Sequence, residues 1–237
     1  MLELALDTLN ATSVALVRDG EAVARATAGS ARHHAESLTP LVRRVLQDAG
    51  LGPDAAGAGL DRVLVGTGPA PFTGLRAGLV SARVIGEAVG APVLGVASLD
   101  VVARQGLDLL PPDMTVFAVS DARRRELYWG RYEADGPDDV RLVGRLEVGA
   151  ARSLLGAMRE ADGLIVAAGP LPAHSAQPLA DAGQGPVIDL DPAVMSRVVA
   201  ARLARGQEER LGTQPLYLRR SEAEVLWEKR HGAEGAQ

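Results

Sequence analysis

Residues 4–17 read LALDTLNATSVALV and residues 118–132 read AVSDARRRELYWGRY. Each stretch is an apolar strand that ends on an aspartate, Asp7 or Asp121, followed by a polar turn and a returning strand. A chain that opens both of its halves in this way is constrained to two related units. The elements that follow agree. In the first half Leu2, Leu4 and Leu6 alternate with Glu3, Ala5 and Asp7, and runs over 13–17 and 22–27 meet at Asp19-Gly20, a dipeptide suited to the positive φ angles of a tight hairpin. Leu38, Leu41, Val42, Val45, Leu46 and Ala49 then recur at helical spacing up to Gly50. Pro40 either kinks that helix or lies in its first turn behind a Thr39 cap. A strand over 62–66, a helix over 72–89 closed by Gly90, a strand over 92–96 and a helix capped by Ser98 follow. Beyond Pro111-Pro112, strands over 116–119, 126–133 and 140–147, a helix over 151–161, a strand over 164–168 and a helix over 193–204 repeat the order. The expected organisation is one unit over 1–110, a second over 111–225, and a flexible tail over 226–237.

Composition narrows the chemistry. With 237 residues and 47% hydrophobic content the chain can bury a sizeable core. No cysteine is present, which excludes disulfides, thiolate metal sites and a cysteine nucleophile. Lys229 is the only lysine, so lysine chemistry is absent from the folded body. A net charge of −5 argues against wrapping nucleic acid unaided. The opening MLELALDT sets Glu3 and Asp7 inside the first apolar run, which fits neither a signal peptide nor a membrane span, and a cytoplasmic location is expected.

The segment GTGPAPFTGLRAG, residues 66–78, has the glycine density of a phosphate loop but neither of its patterns. A Walker loop needs a lysine, and none is near; the dinucleotide fingerprint fails because Pro71 stands where its third glycine belongs. The glycines are better read with the helix: Gly74, Gly78, Ala82, Gly86 and Gly90 fall at intervals of four and build a ridge of small residues on one face. Interior glycines cost about 1 kcal/mol each relative to alanine, so close packing must offset them. The surface that approaches is either the chain's own sheet or another subunit.

The same segment resembles the G-x-GPGSFTGLR-x-G signature of the TsaB (YeaZ) family, with Ala70 and Pro71 in place of the usual glycine and serine. ALDTLNATSVALV, HAESLTPLVRRVL, PVLGVASLD, DARRRELYWGRYE and PLYLRRSEAE extend the resemblance in order over residues 4–224. It implies an α/β fold of two ribonuclease-H-like halves of the actin and hexokinase superfamily, the second smaller or degenerate. It also implies a non-catalytic subunit that binds and stabilises a TsaD-type catalytic subunit in threonylcarbamoyladenosine synthesis on tRNA. A TsaE-type ATPase is then reached through the complex, tRNA is met only indirectly, and the chain forms a homodimer when alone. The first two helices are the implied contact, with Leu38, Val42, Gly74, Gly78 and Ala82 at or near it; Gly78→Leu is expected to leave the fold intact and weaken association.

In active superfamily members two D-x-G-T loops bind phosphate and a glycine pair meets adenosine. Here Asp7-Thr8-Leu9-Asn10 lacks the glycine, Asp121-Ala122-Arg123-Arg124 carries arginines, and Val166-Ala167-Ala168-Gly169 keeps one glycine of the pair. No cofactor, metal or catalytic residue is expected. His33, His34 and Glu36 lack the HxxxH spacing by which TsaD-type relatives hold metal. Relatives carry a glycopeptidase-like label, but His174 and Ser175 have no nucleophile elbow or oxyanion loop beside them. Arg123, Arg124 and Arg125, with Arg219 and Arg220, either touch phosphate at an assembly interface or form a solvated turn. Asp7 is a remnant of an active site or a turn cap, the latter preferred. A small ATP-dependent phosphotransferase of the same superfamily and a homodimeric regulatory module are the alternative readings.

Overall fold

The computed structural model describes residues 1–28, 34–52 and 54–219. In chain order the elements are β1 (Leu2–Asp7), β2 (Ser13–Arg18), β3 (Glu21–Thr27), α1 (His34–Asp48), β4 (Arg62–Gly66), α2 (Phe72–Val89), β5 (Val93–Val96), α3 (Ser98–Leu107), β6 (Val116–Asp121), β7 (Leu127–Ala134), β8 (Val140–Gly149), α4 (Ala151–Arg159), β9 (Leu164–Ala168), α5 (Ala173–Ala176), β10 (Gln184–Ile188) and α6 (Val194–Ala204). They make two five-stranded sheets, ordered β3-β2-β1-β4-β5 and β8-β7-β6-β9-β10. In each sheet the first strand pairs antiparallel with the second and parallel with the fourth, and the fourth pairs parallel with the fifth. The duplication visible in sequence is therefore a duplication of topology, the two-lobed ribonuclease-H arrangement of actin-like proteins. The lobes differ in their helices: α1 and α2 have 15 and 18 residues, α4 and α5 only 9 and 4.

β1 is buried along its whole length because helices cover both of its faces. Leu2, Leu4 and Leu6 meet the apolar side of α1 and α2, through Leu38, Val42, Val45, Leu46, Leu75 and Leu79. Ala5, on the other face, packs with Leu64 and Val96 against Met195, Val198 and Val199 of α6. The charged Glu3 on that face is held by Ser196 Oγ, which donates to Oε2, and by Arg62 at 3.5 Å. α6, late in the chain, thus covers the first sheet, whereas α3, early in the chain, packs on β6, β7 and β9 of the second. The two helices also touch each other, which places them as a shared layer between the sheets. α4 closes the far face of the second sheet through Leu154 on Phe117, Val119 and Trp129.

One ion cluster fixes this middle layer. Arg202 of α6 is 1% exposed and donates from Nη2 to Asp100 Oδ2 of α3 at 2.6 Å and to Asp139 Oδ1 at 2.8 Å. Asp139, fully buried in the β7–β8 connection, also accepts from Arg205 Nη2 at 2.5 Å and Arg210 Nη1 at 3.3 Å. Arg104 of α3 donates to the Asp139 carbonyl at 3.1 Å.

Three sequence expectations need correction. α1 begins at His34, five positions before Thr39, so the Thr39-cap reading fails and Pro40 lies inside the helix; its missing N–H leaves the Glu36 carbonyl without the usual i+4 donor, on an exposed face where water can serve. Ser98 is the first residue of α3 but caps nothing, since Ala97 is the N-cap residue and the Ser98 hydroxyl is directed elsewhere. β10 is absent from the sequence reading because QGPVI, with Gly185 and Pro186 inside it, lacks strand patterning, a composition tolerated at the sheet edge where it lies. The Asp19-Gly20 hairpin is as expected, with φ of 53° and 85°. The tail over 226–237 lies outside the described residues.

Removing Asp139 leaves Arg202 buried with half of its compensation. Asp139→Ala is expected to lower the unfolding free energy by about 3–5 kcal/mol, and Asp48→Ala, which breaks the exposed Arg44 pair, by about 0.5 kcal/mol or less. Urea denaturation of the two variants checks the contrast; equal losses would show that the cluster is not a keystone.

Candidate functional site

The two sister aspartates meet across the cleft between the lobes. Asp7, at the end of β1, and Asp121, at the end of β6, line a cavity of about 440 Å³ together with Asn10, Arg123, Gly169 and Asp189. Asp7 is 2% exposed. Its Oδ1 accepts from Leu9 N at 2.6 Å, the turn cap preferred from sequence, and its Oδ2 accepts from Ser98 Oγ at 2.6 Å. Gly66 makes room for it, because a Cβ there would overlap Asp7 Oδ2. Burial pushes the Asp7 carboxyl up to about 6, against the opposing pull of the Ser98, Leu9 and Thr8 hydrogen bonds.

The loops after Asp7 and Asp121, to which the resemblance assigns phosphate in active members, are occupied by the chain itself. Asn10 Nδ2 donates to the Ala168 carbonyl of the opposite lobe, and the place of a side chain on Gly169, φ 74°, lies 3.2 Å from that amide. Position 10 therefore clasps the lobes where a bare backbone would admit a ligand. In the second loop the Arg123 N–H is taken by Asp121 Oδ1 at 3.0 Å, and the Arg123 guanidinium by Asp121 Oδ2 at 3.1 Å. Arg123, Arg124 and Arg125 all adopt left-handed backbone, with φ of 62°, 54° and 63°.

The other candidate groups separate. His33 lies outside the described residues, as does Arg220. Among the described residues no group of three or more histidine, aspartate or glutamate side chains is arranged for a metal ion. His174 is exposed whereas the neighbouring Ser175 is buried, so the two do not share a site. No described helix is long and apolar enough to cross a membrane.

The residues expected at the helix-pair contact are all buried inside the chain: Leu38, Val42 and Ala82 are 1%, 6% and 0% exposed, and Gly74 and Gly78 are buried with them. A Cβ on Gly78 would sit 3.0 Å from Thr8 Oγ1, and that hydroxyl donates to the Gly74 carbonyl at 2.9 Å. Of the two readings left open for the small-residue ridge, the structure selects the chain's own sheet. Gly78→Leu would strike Thr8 and disturb the fold, contrary to the sequence expectation. What reaches solvent is the opposite side of α2, where Val80 and Val84 are 59% and 62% exposed. They rim a groove of about 870 Å³ between α1 and α2, floored by Leu38, Val42 and Ile85. Sequence reasoning passed over these valines, although their spacing with Phe72 and Arg76, every four residues, marks one face.

Beyond the 3-10 turn at Glu208–Leu211, residues 212–219 form a strap across the start of α2. Leu216 N donates to the Thr67 carbonyl at 2.9 Å, Arg83 Nη2 to the Thr213 carbonyl at 2.9 Å, and Arg76 Nε to Tyr217 Oη at 2.9 Å. Tyr217 stacks on Phe72 with ring centroids 5.0 Å apart, and the Arg76 guanidinium lies 3.7 Å from the Phe72 centroid. Arg219 then donates to the Ala122 carbonyl at 3.0 Å and pairs with Glu126, joining the strap to the arginine turn.

Comparison with known proteins decides the kinship. The model of the family described as TsaD: tRNA N6-adenosine threonylcarbamoyltransferase matches residues 27–160, more than half of the chain. YeaZ from Pseudomonas aeruginosa superposes with a TM-score of 0.71 at 28% identity, covering 92% of this chain and 99% of that one. The chain belongs to the TsaB (YeaZ) family. The tRNA threonylcarbamoyladenosine biosynthesis proteins TsaB of Escherichia coli and Bacillus subtilis are 36% and 30% identical over 135 and 134 residues, in each case 56% of this chain. An uncharacterized protein of Mycobacterium tuberculosis strain H37Rv is 46% identical over 145 residues, 60% of this chain. The chain spans 55%, 56% and 62% of those relatives' own lengths. The TsaB resemblance seen in the motifs is therefore a family relation, and the fold it implied is the one found.

Asp7 supplies a pH test. Its unfolded value is 3.8 and its folded value about 6, so the folded state holds this proton more tightly. That contribution is fully present below 3.8 and is lost as pH rises through 6, a span worth roughly 3 kcal/mol. Asp7→Asn, which keeps an acceptor for Leu9 N and cannot ionise, is expected to be more stable than the parent at neutral pH and to lose the slope between pH 4 and 6. Denaturation midpoints across that range check it; a variant weaker at every pH would show that the carboxylate's hydrogen bonds outweigh its burial.

Proposed function

We propose that this chain is a non-catalytic partner subunit in tRNA threonylcarbamoyladenosine biosynthesis, docking on a TsaD-type catalytic subunit through the exposed face of α1 and α2 and stabilising it in the cytoplasm. The observation that carries the reading is the α1–α2 groove with Val80 and Val84 on its rim. Exposed apolar side chains on a cleft of that size are placed for a partner helix, and the same face serves a homodimer when the partner is absent. Burying each valine contributes on the order of 1 kcal/mol, so the partner must cover the groove floor as well to overcome the entropy lost on association. Leu38 and Val42 belong to that floor; Gly74, Gly78 and Ala82 hold α2 in place from behind. A TsaE-type ATPase joins through the assembled complex.

The occupied loops favour this reading over a small ATP-dependent phosphotransferase. Asn10 and the Arg123–Asp121 pair stand where nucleotide phosphates would need open backbone. The family relation supports the reading as well, since the TsaB proteins of E. coli and B. subtilis carry that biosynthetic name.

Val80→Asp combined with Val84→Asp is expected to weaken binding to a purified TsaD-type subunit by more than tenfold without changing the melting temperature, measured by size exclusion and calorimetry. Unchanged binding would remove this face from the interface. In a separate titration, the chain alone is expected to bind Mg-ATP no more tightly than millimolar; micromolar heat of binding would restore the phosphotransferase reading.

A further inference from the structure

Two exposed aromatic rings and an arginine turn meet on the strap, Phe72 at the start of the exposed α2 face and Arg123 at the lip of the cleft. The other described aromatics, Phe117, Tyr128, Trp129 and Tyr132, are at most 5% exposed. Phe72 and Tyr217 are 37% and 41% exposed and stack on each other in the open. Tyr217 and Arg219 are two residues apart, which limits their Cα separation to about 7 Å. The aromatic pair and the arginine turn therefore share one surface.

The turn itself is costly. Three successive non-glycine residues in left-handed backbone cost about 1–2 kcal/mol each. Connection length does not demand it: the sister loop between β1 and β2 spans the same five positions, 8–12 against 122–126, with no positive φ. What the left-handed turn achieves is to hold three consecutive arginines, all exposed, at the lip of the cleft. Asp121 answers Arg123 and Glu126 answers Arg219, whereas Arg125 makes no hydrogen bond or ion pair with any other described residue. Burial and the nearby Arg124 charge draw the Arg219 guanidinium below its usual value, a crowding of like charges that an added anion relieves.

We infer that the strap and the arginine turn form a contact for single-stranded RNA, in which Arg123, Arg125 and Arg219 take backbone phosphates and the Phe72–Tyr217 pair takes a base. Guanidinium groups beside exposed aromatic faces are the elements by which unpaired RNA is held, the arginines neutralising phosphate and the rings stacking on bases of any identity. An acidic protein surface would use the arginines but not the stacked rings. The contact deepens the partner-subunit reading, resting on it only for the identity of the RNA as tRNA, and it replaces the expectation that tRNA is met indirectly. In a chain of net charge −5 the affinity is local and salt-sensitive.

Fluorescence anisotropy with a short labelled single-stranded RNA, on the chain alone and on its complex with a TsaD-type subunit, tests this across a salt series. Arg123→Glu with Arg125→Glu is expected to weaken binding at least tenfold and to reduce the slope of log affinity against log salt by about 1.4, the value for two lost phosphate contacts. Tyr217→Leu is expected to weaken binding several-fold, and Tyr217→Phe, which keeps the ring, to match the parent. Variants that bind like the parent in both settings, no binding by the parent in either, or displacement of the RNA by polyglutamate at equal charge would each overturn the inference. Partner co-elution is measured on the same preparations, so loss of RNA binding with partner binding intact separates this contact from the docking face.

Discussion

The buried Arg202 cluster is the constraint on which the arrangement of the two lobes depends. Each lobe lends the other a helix, α6 to the first sheet and α3 to the second, and two helices sharing one layer could slide along each other if only apolar contacts held them. A guanidinium is directional. Arg202 places one carboxylate from α3 and one from the β7–β8 connection at fixed angles, which sets the register of α6 against α3. The net energy of such a cluster is modest because desolvation offsets most of the attraction. Its effect lies in specificity: any shift of one helix leaves a buried charge without its partner.

A fixed middle layer also sets how the two lobes face each other across the cleft. The cleft runs between the lobes at the ends of β1 and β6, and side chains bridge it. Asn10 spans to Ala168, Arg25 pairs with Asp191 at 2.8 Å, and Gln105 donates to the Asp189 carbonyl at 3.2 Å. Asp7 is turned to Ser98 and Leu9. The chain's own side chains thus join the two lobes across the cleft.

Most of the fold was legible because the strands and long helices carry strong periodic patterns and glycine or aspartate-glycine stops; β4, α2 and β9 fall on the residues expected from sequence. Misreadings arose where tertiary contact overrides a local rule. Ser98 has the form of a helix cap, yet its hydroxyl is drawn to the buried Asp7, a partner 91 positions away that no local pattern reveals. β10 gains strand geometry from pairing with β9 and not from its own residues. The meeting of Arg219 with the Arg123 turn was equally invisible, since the two basic runs lie 96 positions apart and only the strap brings them together.

α2 shows why the face of a helix is harder to read than its span. Glycine and alanine at every fourth position look like an invitation to a partner, but the space at Gly78 is filled by Thr8 and Leu6 and that at Gly86 by Val93. Once that side is committed inward, the valines on the reverse side have no internal use, and a helix apolar on both faces must find a second neighbour. The chain supplies part of that neighbour itself: Arg76 and Arg83 hold the strap against this helix, leaving Val80 and Val84 uncovered. The groove lies between α1 and α2, near the strap's contacts at Arg76 and Arg83. A partner helix docked there as proposed would lie close to the strap whose end secures the arginine turn, so the two proposed contacts would share one support.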